Sequence, residues 1–448
     1  MAEIDLNYKV KVKFVNRIII LIVFIIIFAM IQFISGVRNN FYFTFVLFLI
    51  FILAAILTIL SNLFNPVTKS SEENLPMPKK VPTVAVVTYA FNNFKGIERT
   101  VKRLSELEYP ISYNVYIIND GTMGYLKKYK NVKLLTLDKK YFTKGQNIKA
   151  IIMNIAFKKL KEENIFCLDG DSLPDKDVLM KMTPLLRKNV AAVFGVIKPE
   201  NTNNLIEKMQ FFEYSINLGF GARGLSKMNS VFALCGALNL MNREKFIEVG
   251  GFDIYNITED GDLAYAFQQK GYTIRHTIFA KAVTEVPSTI KGLIRQRIRW
   301  YRGTHYTWLK YKSMIFNNSS GFFGMFIMPY YILLNILSIG LFFRFVFINL
   351  YRFYVQTYFL VFESIKSGVW IFQYNLNSIT LITPIAIIGL FGFGITLLLL
   401  ILAFSTADVK IERKDILPFL LFFWYCFIIT IIFVYSLVME FIGTEYKW

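Results

Sequence analysis

The sequence predicts an α/β domain inserted between transmembrane helices, with two helices before the domain and three after it. Its 448 residues are 55% hydrophobic and 17% aromatic, which is too apolar for a typical soluble domain. Several uncharged runs are long enough to cross a bilayer. Between these runs, short β-rich apolar segments alternate with helical patterns, as they do in α/β domains.

Five apolar runs account for the predicted transmembrane helices. Residues 18–34 are apolar except for Gln32, and residues 41–60 carry no charge. As helices, both would cross a hydrocarbon core about 30 Å thick. The second run follows the first closely without a small-residue cleavage site, which argues against a cleaved signal peptide. Three more uncharged runs of spanning length occupy residues 321–343, 378–404 and 416–439.

Basic residues in short loops predict the orientation. They precede the first apolar run, and they recur between the last two runs at Lys410, Arg413 and Lys414. Because basic loops favour the cytosolic face, residues 65–320 should lie in the cytosol. The chain is therefore expected to be a multi-pass protein of the plasma membrane. The basic residues before the first run are Lys9, Lys11, Lys13 and Arg17.

The net charge of +19 limits the class of partner. Much of this charge lies beside the predicted membrane segments, and no nucleic-acid-binding motif accompanies it. The sequence therefore predicts membrane lipids and a phosphorylated substrate as partners, and no nucleic acid. It indicates neither an oligomeric state nor an accessory subunit.

Composition divides the chain into five segments. Residues 1–64 hold the first two apolar runs, and residues 65–82 form a linker that contains four prolines. The α/β domain is predicted at 83–287. A basic, aromatic-containing segment at 288–320 has the character of an interfacial amphipathic helix, and residues 321–448 hold the last three runs.

Within the α/β domain, the strands and helices are predicted from their periodicity. Helices are expected near 94–108 and 146–161. Ligands of open α/β sheets bind at the carboxyl ends of the strands, so polar residues directly after an apolar run are candidates for a site. The strands are expected at Val84–Thr88, Asn114–Ile118, Val132–Leu135 and Ile165–Leu168, and the polar residues that follow them are Asn119, Asp120, Asp169 and Asp171.

Asp169 and Asp171 are the strongest candidates for a metal site. They end an apolar run and are separated by Gly170 alone, so both carboxylates can reach one hard divalent cation. Mg²⁺ or Mn²⁺ bridging two phosphates is the expected ligand. The alternative interpretation is a solvated acidic turn, which is what most isolated Asp-x-Asp sequences form.

Two further acidic clusters have a functional and a structural interpretation. Asp120 could contact the base or ribose of a nucleotide, although Asp-Gly also favours a simple turn. Thr258-Glu259-Asp260 could supply a carboxylate that accepts a proton from a sugar hydroxyl. The same three residues also look like the start of a helix, and both interpretations can hold together.

Gln296, Arg299 and Trp300 are spaced so that they share one face of a helix. Such a face offers an amide, a guanidinium for a diphosphate and an indole on which a sugar can stack. A basic helix lying on the membrane surface is the equally weighted alternative.

In their order along the chain, these clusters resemble the family 2 glycosyltransferases. The resemblance extends from about Val84 to Trp308 and is greatest to the processive membrane branch, which includes cellulose, chitin, hyaluronan and poly-N-acetylglucosamine synthases. It implies a GT-A type nucleotide-sugar-binding domain, a Rossmann-like mixed sheet, between the transmembrane helices. Two motifs of the family are intact: TED, at Thr258–Asp260, and QxxRW, at Gln296–Trp300. Three further segments carry the resemblance: Val86–Asn93, Lys149–Asn154 and Cys235–Asn239.

The resemblance implies roles for individual residues. Phe91, Asn92 and Asp120 would contact the nucleotide, Lys149 and Asp169 the donor, and Asp169 with Asp171 the metal. Glu259, Gln296, Arg299 and Trp300 would bind the acceptor and the diphosphate, with Asp260 as the catalytic base. Tyr89 and Asn93 depart from the frequent proline and glutamate, and Asn119 replaces the first acid of an Asp-Asp-Gly motif.

The resulting expectation is a membrane-embedded, inverting hexosyltransferase. It would transfer a sugar from a UDP-sugar to the end of a growing β-linked polysaccharide, processively and coupled to export. The alternative is a non-processive enzyme that acts on a polyprenyl-phosphate or glycolipid acceptor. A transporter with a nucleotide-sensing domain is disfavoured, because the apolar runs contain almost no ionisable residues.

Overall fold

A computed structural model of the chain describes residues 75–90, 96–119, 124–129, 131–136, 146–368, 401–405 and 412–444. The described residues fall into two units, of which one contains residues 330–368 and the other contains the remainder. The predicted transmembrane runs at 18–34 and 41–60, and most of the run at 378–404, lie outside these residues.

The larger unit is built on one mixed sheet of eight strands, in the order β3-β2-β1-β4-β7-β6-β8-β5. The pairs β3–β2, β2–β1 and β1–β4 are parallel, whereas β7 is antiparallel to both β4 and β6. The strands are β1 Val84–Ala90, β2 Asn114–Asn119, β3 Val132–Thr136, β4 Asn164–Cys167, β5 Ser172–Pro174, β6 Val190–Pro199, β7 Asn239–Asn242 and β8 Thr273–Thr284.

Helices cover both faces of the sheet. The α-helices of this unit are α1 Ile97–Ser105, α2 Ile148–Lys159, α3 Val178–Met182, α4 Leu205–Tyr214, α5 Ala222–Lys227, α6 Arg243–Glu248, α7 Glu259–Gln269, α8 Ile290–Lys310 and α10 Ile416–Ile442. Helix α9, Met328–Ser367, belongs to the second unit from Tyr330 onward. Short 3₁₀ turns lie at Gly124–Lys128, Thr183–Leu185, Lys312–Met314, Asn318–Ser320 and Arg413–Asp415, and π-helical turns at Ser215–Gly221 and Phe323–Ile327.

Alternation along the central strands separates two hydrophobic cores. Val84 and Val86 of β1 pack into the core that contains α1, while Ala85 and Val87 pack into the core that contains α2. Successive side chains of a strand point to opposite faces, so β1 is buried on both sides. The predicted strands are confirmed to within about two residues, because their near-continuous apolar character is what a doubly covered sheet requires.

Helix α10 packs along one face against α4 and α8 of the same unit. Phe422 and Tyr425 join Met209 and Phe212 of α4 and Leu293 of α8 in a third hydrophobic cluster. Among the described residues, Ile416–Ile442 is the helix that is long and apolar enough to cross a membrane, with a mean hydropathy of 2.5. A shorter apolar stretch lies at Phe323–Leu337.

Helix α9 differs from the predicted span at 321–343. It continues as one helix past Arg344 to Ser367. Charged and aromatic side chains do not end a helix, whereas glycine or proline does, and the helix ends directly before Gly368, which has a positive φ of 66°.

Candidate active site

The candidate site begins at the carboxyl edge of the parallel strands. Ala90 of β1 pairs with Asn119 of β2, so these two strands end level, and β4 ends beside them where Cys167 pairs with Val87. Asp169 follows β4 at this edge, as the sequence predicts. Its Oδ1 accepts a hydrogen bond from the Tyr89 hydroxyl at 3.2 Å, which links the ends of β1 and β4.

Lys149 joins two of the acidic clusters. Its Nζ lies 2.9 Å from Asp169 Oδ1 and 3.0 Å from Glu259 Oε1. It also lies 5.0 Å from the centre of the Tyr89 ring, within cation–π range. Burial alone would lower the pKa of Lys149, but the Asp169 and Glu259 carboxylates raise it well above its usual value. Lys149 is therefore a permanent positive charge between the two clusters.

Asn147 fixes the position of Lys149. It is the N-cap of α2, where its Oδ1 accepts a hydrogen bond from the backbone N–H of Ala150 at 3.2 Å. Its Nδ2 donates to Glu259 Oε2 at 2.8 Å and to the Asn256 carbonyl at 2.9 Å. One buried amide thus connects the start of α2 to the start of α7.

The turn between Asp169 and Asp171 lies close against the backbone of β1. A Cβ at the intervening Gly170 would lie 2.8 Å from the Tyr89 carbonyl oxygen, so only glycine allows this close turn. Burial and the neighbouring Asp169 charge raise the pKa of Asp171. A cation between the two carboxylates would relieve this repulsion, which is why the pair fits one.

Two carboxylates favour a metal ion that takes its remaining ligands from water or from the substrate. Among the described residues, no group of three or more His, Cys, Asp and Glu side chains could hold a metal ion. Mg²⁺ is commonly held by one or two carboxylates together with water and phosphate oxygens. The Asp169–Asp171 pair therefore suits a cation that is completed by a diphosphate.

Asp260 lies in the first turn of α7 beside Glu259. Burial, followed by the negative charge of Glu259, raises its pKa to about 6. Its Oδ1 accepts a hydrogen bond from the backbone N–H of Gly261 at 2.9 Å. A Cβ at Gly236 would lie 2.6 Å from its Oδ2, so the segment Cys235–Asn239, one of those that carry the family resemblance, packs closely against this carboxylate.

Helix α8, which carries Gln296, Arg299 and Trp300, packs closely on the start of α7. The two helices can approach closely because Gly303 has no side chain. A Cβ at this position would lie only 2.7 Å from the Thr258 Cβ. Lys310 adds an ion pair to the buried Asp262 carboxylate at 2.7 Å. Thr258 begins α7, as predicted, but its hydroxyl donates to Asn256 Oδ1 rather than capping the helix.

The predicted helical face is present in α8, but its members have different environments. Gln296 and Trp300 are half-buried, and Arg299 is exposed. Arg299 therefore remains accessible to an anionic ligand. The predicted nucleotide contacts Phe91, Asn92 and Asp120 lie outside the residues that the structure describes.

Sequence reasoning missed two residues of the network around Lys149, namely Tyr89 and Asn147, and it missed that Arg297 of α8 is buried. Tyr89 stood out only as a departure from a frequent proline. Asn147 carried a usable signal, since an Asn before an apolar helical run is typical of an N-cap. Arg297 stood inside the QxxRW motif, where its spacing gave no indication that it would be buried.

The chain matches a known family over most of this architecture. The sequence model described as Glycosyl transferase family group 2 matches residues 164–439, which is more than half of the chain. The chain belongs to this family. The predicted membership of family 2 and the predicted transferase class are thereby confirmed.

Two relatives within glycosyl transferase family group 2 carry the same name. A poly-beta-1,6-N-acetyl-D-glucosamine synthase of Staphylococcus epidermidis is 28% identical over 236 residues, which cover 51% of this chain and 56% of that protein. The protein of that name from Staphylococcus aureus is 28% identical over 222 residues, covering 48% and 53%. The chain thus spans just over half the length of these curated relatives.

A solved structure shares the fold of this chain. A mannosyltransferase from Pyrobaculum calidifontis, in complex with GDP-Man and Mn²⁺, superposes with a TM-score of 0.51 at 16% identity. The superposition covers 88% of this chain and 98% of the mannosyltransferase. The predicted GT-A type fold with a mixed sheet is confirmed for this member of glycosyl transferase family group 2.

Proposed function

We propose that the protein is an inverting hexosyltransferase that moves a sugar from a UDP-sugar to the end of a growing β-linked polysaccharide. One observation carries this proposal. The carboxylate of Asp260, whose pKa is raised to about 6, lies beside Glu259, and Lys149 connects Glu259 to Asp169. A general base and a diphosphate-binding edge are thus held in a single network.

The relatives suggest which donor to test first. Both are named as synthases of poly-beta-1,6-N-acetyl-D-glucosamine. UDP-N-acetylglucosamine is therefore the proposed donor, and Phe91, Asn92 and Asp120 are the proposed nucleotide contacts. A β-linked N-acetylglucosamine chain is the corresponding acceptor.

In the proposed reaction, the acceptor hydroxyl oxygen attacks the anomeric carbon of the α-linked donor as UDP leaves from the opposite face. Asp260 accepts the hydroxyl proton, which requires its carboxylate form. Arg299 and Lys149 donate hydrogen bonds to the departing diphosphate. A divalent cation bound by Asp169 and Asp171 would neutralise further diphosphate charge. Glu259, Gln296 and Trp300 orient the acceptor sugar.

The proposal includes the membrane. Residues 83–287 would form the cytosolic catalytic domain, 288–320 the interfacial segment, and 1–64 with 321–448 the membrane segments of a multi-pass plasma-membrane protein. The apolar character of α10 and its packing against α4 and α8 support this arrangement. Polymer leaving the Gln296–Trp300 face would pass directly to the membrane segments for export.

The proposed base is tested by Asp260→Asn. Asparagine keeps the shape and the hydrogen bond from Gly261, so the variant should fold and bind UDP normally. Loss of general-base catalysis should lower kcat by about 10²–10⁴-fold. UDP release in detergent is measured with a panel of UDP-sugars and Mg²⁺ or Mn²⁺, with the exposed Asp175→Asn as control. Near-normal turnover in Asp260→Asn would overturn the assignment.

Product length separates the proposal from its alternative. A processive synthase should produce long polymer from limiting acceptor, and a glycosidase specific for β-linked N-acetylglucosamine should degrade it. Lipid-linked products carrying one sugar would instead identify a non-processive enzyme that acts on a polyprenyl-phosphate or glycolipid.

A further inference from the structure

Arg297 is a fully buried charge in the middle of α8. Its side chain is 0% exposed, and one guanidinium nitrogen lies 2.6 Å from Glu213 Oε2 on α4. The same nitrogen lies 3.4 Å from the Tyr425 hydroxyl on α10, and that hydroxyl donates to Glu213 at 2.5 Å. Removing a charge from water is costly unless it is paired, so these contacts hold Arg297 in one position.

From this position Arg297 contacts two members of the proposed acceptor face. Its second terminal nitrogen donates to Gln296 Oε1 at 2.6 Å. Its guanidinium carbon lies 4.1 Å from the centre of the Trp300 ring, in a cation–π arrangement. Its Nε is buried without a hydrogen-bond acceptor, which is consistent with a guanidinium plane that faces an indole.

The contact with Gln296 determines which end of that amide is available. Arginine has only donors, so the atom that faces Arg297 must be the amide oxygen. The amide nitrogen of Gln296 then remains to donate to another group. The Trp300 indole is similarly restricted, because the guanidinium occupies one of its faces.

We infer that Arg297 is a positioning residue for the acceptor. It orients Gln296 so that the amide nitrogen donates to an acceptor-sugar hydroxyl. It also holds the Trp300 indole, whose ring centre lies 6.5 Å from that of Tyr214, in place for stacking on the sugar ring. This inference rests on the proposed function. It distinguishes the two arginines of the QxxRW segment: Arg299 is exposed, whereas Arg297 acts through its neighbours.

Arg297 also makes the acceptor face dependent on two distant elements. Glu213 belongs to α4 and Tyr425 to α10, and both bind the guanidinium. Movement of α10 would therefore be transmitted to Gln296 and Trp300 through one side chain.

The test compares variants by three measurements on the full-length protein in detergent. The first is KM and kcat for a β-linked N-acetylglucosamine oligosaccharide acceptor. The second is metal-dependent hydrolysis of the UDP-sugar without acceptor. The third is acrylamide quenching of Trp300 fluorescence. The Trp300 signal is obtained by subtracting the fluorescence of the same variant that also carries Trp300→Phe.

Arg297→Met should raise the acceptor KM roughly tenfold, because a charged hydrogen bond to Gln296 is lost. Donor hydrolysis should stay within about twofold of wild type, and quenching of Trp300 should increase. Arg297→Lys keeps the charge but lacks the planar fork, so it should restore the acceptor KM only in part. The exposed Arg295→Met, on the same helix, is the control and should change none of the three quantities.

A second variant covers the case in which Arg297→Met does not fold. Glu213→Gln combined with Arg297→Met removes both charges of the ion pair, so no buried charge is left unpaired, and the protein should fold while keeping the acceptor defect. Unchanged acceptor KM and unchanged Trp300 quenching in a folded variant would overturn the inference. A loss of donor hydrolysis as large as the loss of acceptor use would also overturn it. A wild-type protein that transfers no sugar would overturn the proposed function instead, and Trp300 quenching would still decide whether Arg297 positions the indole.

Discussion

Glu259 and Asp260 are adjacent in the sequence, yet the structure moves their pKa values in opposite directions. Burial by itself would raise the pKa of both carboxyls. For Glu259 the positive charge of Lys149, 3.0 Å away, acts together with hydrogen bonds from Lys149, Asn147 and the backbone, and their sum outweighs burial and lowers its pKa. Asp260 instead faces the charge of Glu259 without such a contact, and its pKa rises to about 6. Two neighbouring carboxyls thereby acquire different chemical roles.

The pH dependence of the reaction should report Asp260. A base must be ionised to accept a proton, so kcat/KM should fall as the pH decreases through about 6. Because Glu259 raises this pKa and Lys149 lowers it, Glu259→Gln should move the acid limb to lower pH and Lys149→Met to higher pH. The exposed Lys158→Met is the control. An acid limb that neither variant moves would contradict the assignment.

At the level of secondary-structure elements, α8 holds α7 in place. Gly303 contacts Thr258 at the start of α7, and Lys310 pairs with the buried Asp262 one turn further along α7. Tyr311 also donates to Asp262, at 3.2 Å. The helix that carries the proposed acceptor face therefore fixes the helix that carries Asp260, the proposed base.

Gly303→Ala should separate these two helices. The new methyl group would overlap the Thr258 side chain, so the variant should lose roughly 1–3 kcal/mol of stability and lower kcat as the base shifts. Gly261→Ala is the control, because its Cβ would find no neighbour closer than 3.8 Å and alanine favours helix. Thermal unfolding in detergent measures the stability of both variants. Equal unfolding midpoints for Gly303→Ala and Gly261→Ala would rule out a close contact between Gly303 and Thr258.

At the scale of the whole molecule, α10 is attached to the transferase unit along its length. Asp415 at its start pairs with Lys208 at 2.7 Å, and Glu440 near its end pairs with Arg302 at 2.5 Å. The outward face is an apolar stripe that matches a lipid environment. It consists of Leu417, Leu420, Trp424, Ile428, Ile431, Tyr435, Val438 and Ile442.

A cysteine placed at Ile431 tests whether lipid covers this outward face. Ile431 belongs to the stripe and is exposed on α10 in the protein alone. In membranes the thiol of Ile431→Cys should resist a membrane-impermeant maleimide and react only after denaturation in detergent, as shown by mass spectrometry of its peptide. Lys188→Cys, at an exposed position of the α/β unit, should react at once in inverted vesicles. Immediate labelling of the Ile431→Cys variant would show that water reaches this face.

The sequence was sufficient for the strand pattern and for the order of the motifs. Strands buried on both faces are near-continuous apolar runs, so β1, β2 and β4 could be found without any tertiary information. Asp169, Asp171 and Asp260 could be found because each follows a recognisable strand end or helix start. These features depend on residues that are neighbours in the chain.

The tertiary structure alone decided how these pieces act together. Lys149 reaches Glu259, and Arg297 reaches Tyr425, across long stretches of chain that no local pattern connects. Burial then sets the chemistry, because desolvation and the nearest opposite charge determine each pKa. The sequence therefore determined which groups are present, and folding determined which carboxyl has a raised pKa and which arginine is buried, since both depend on contacts made only in the folded chain.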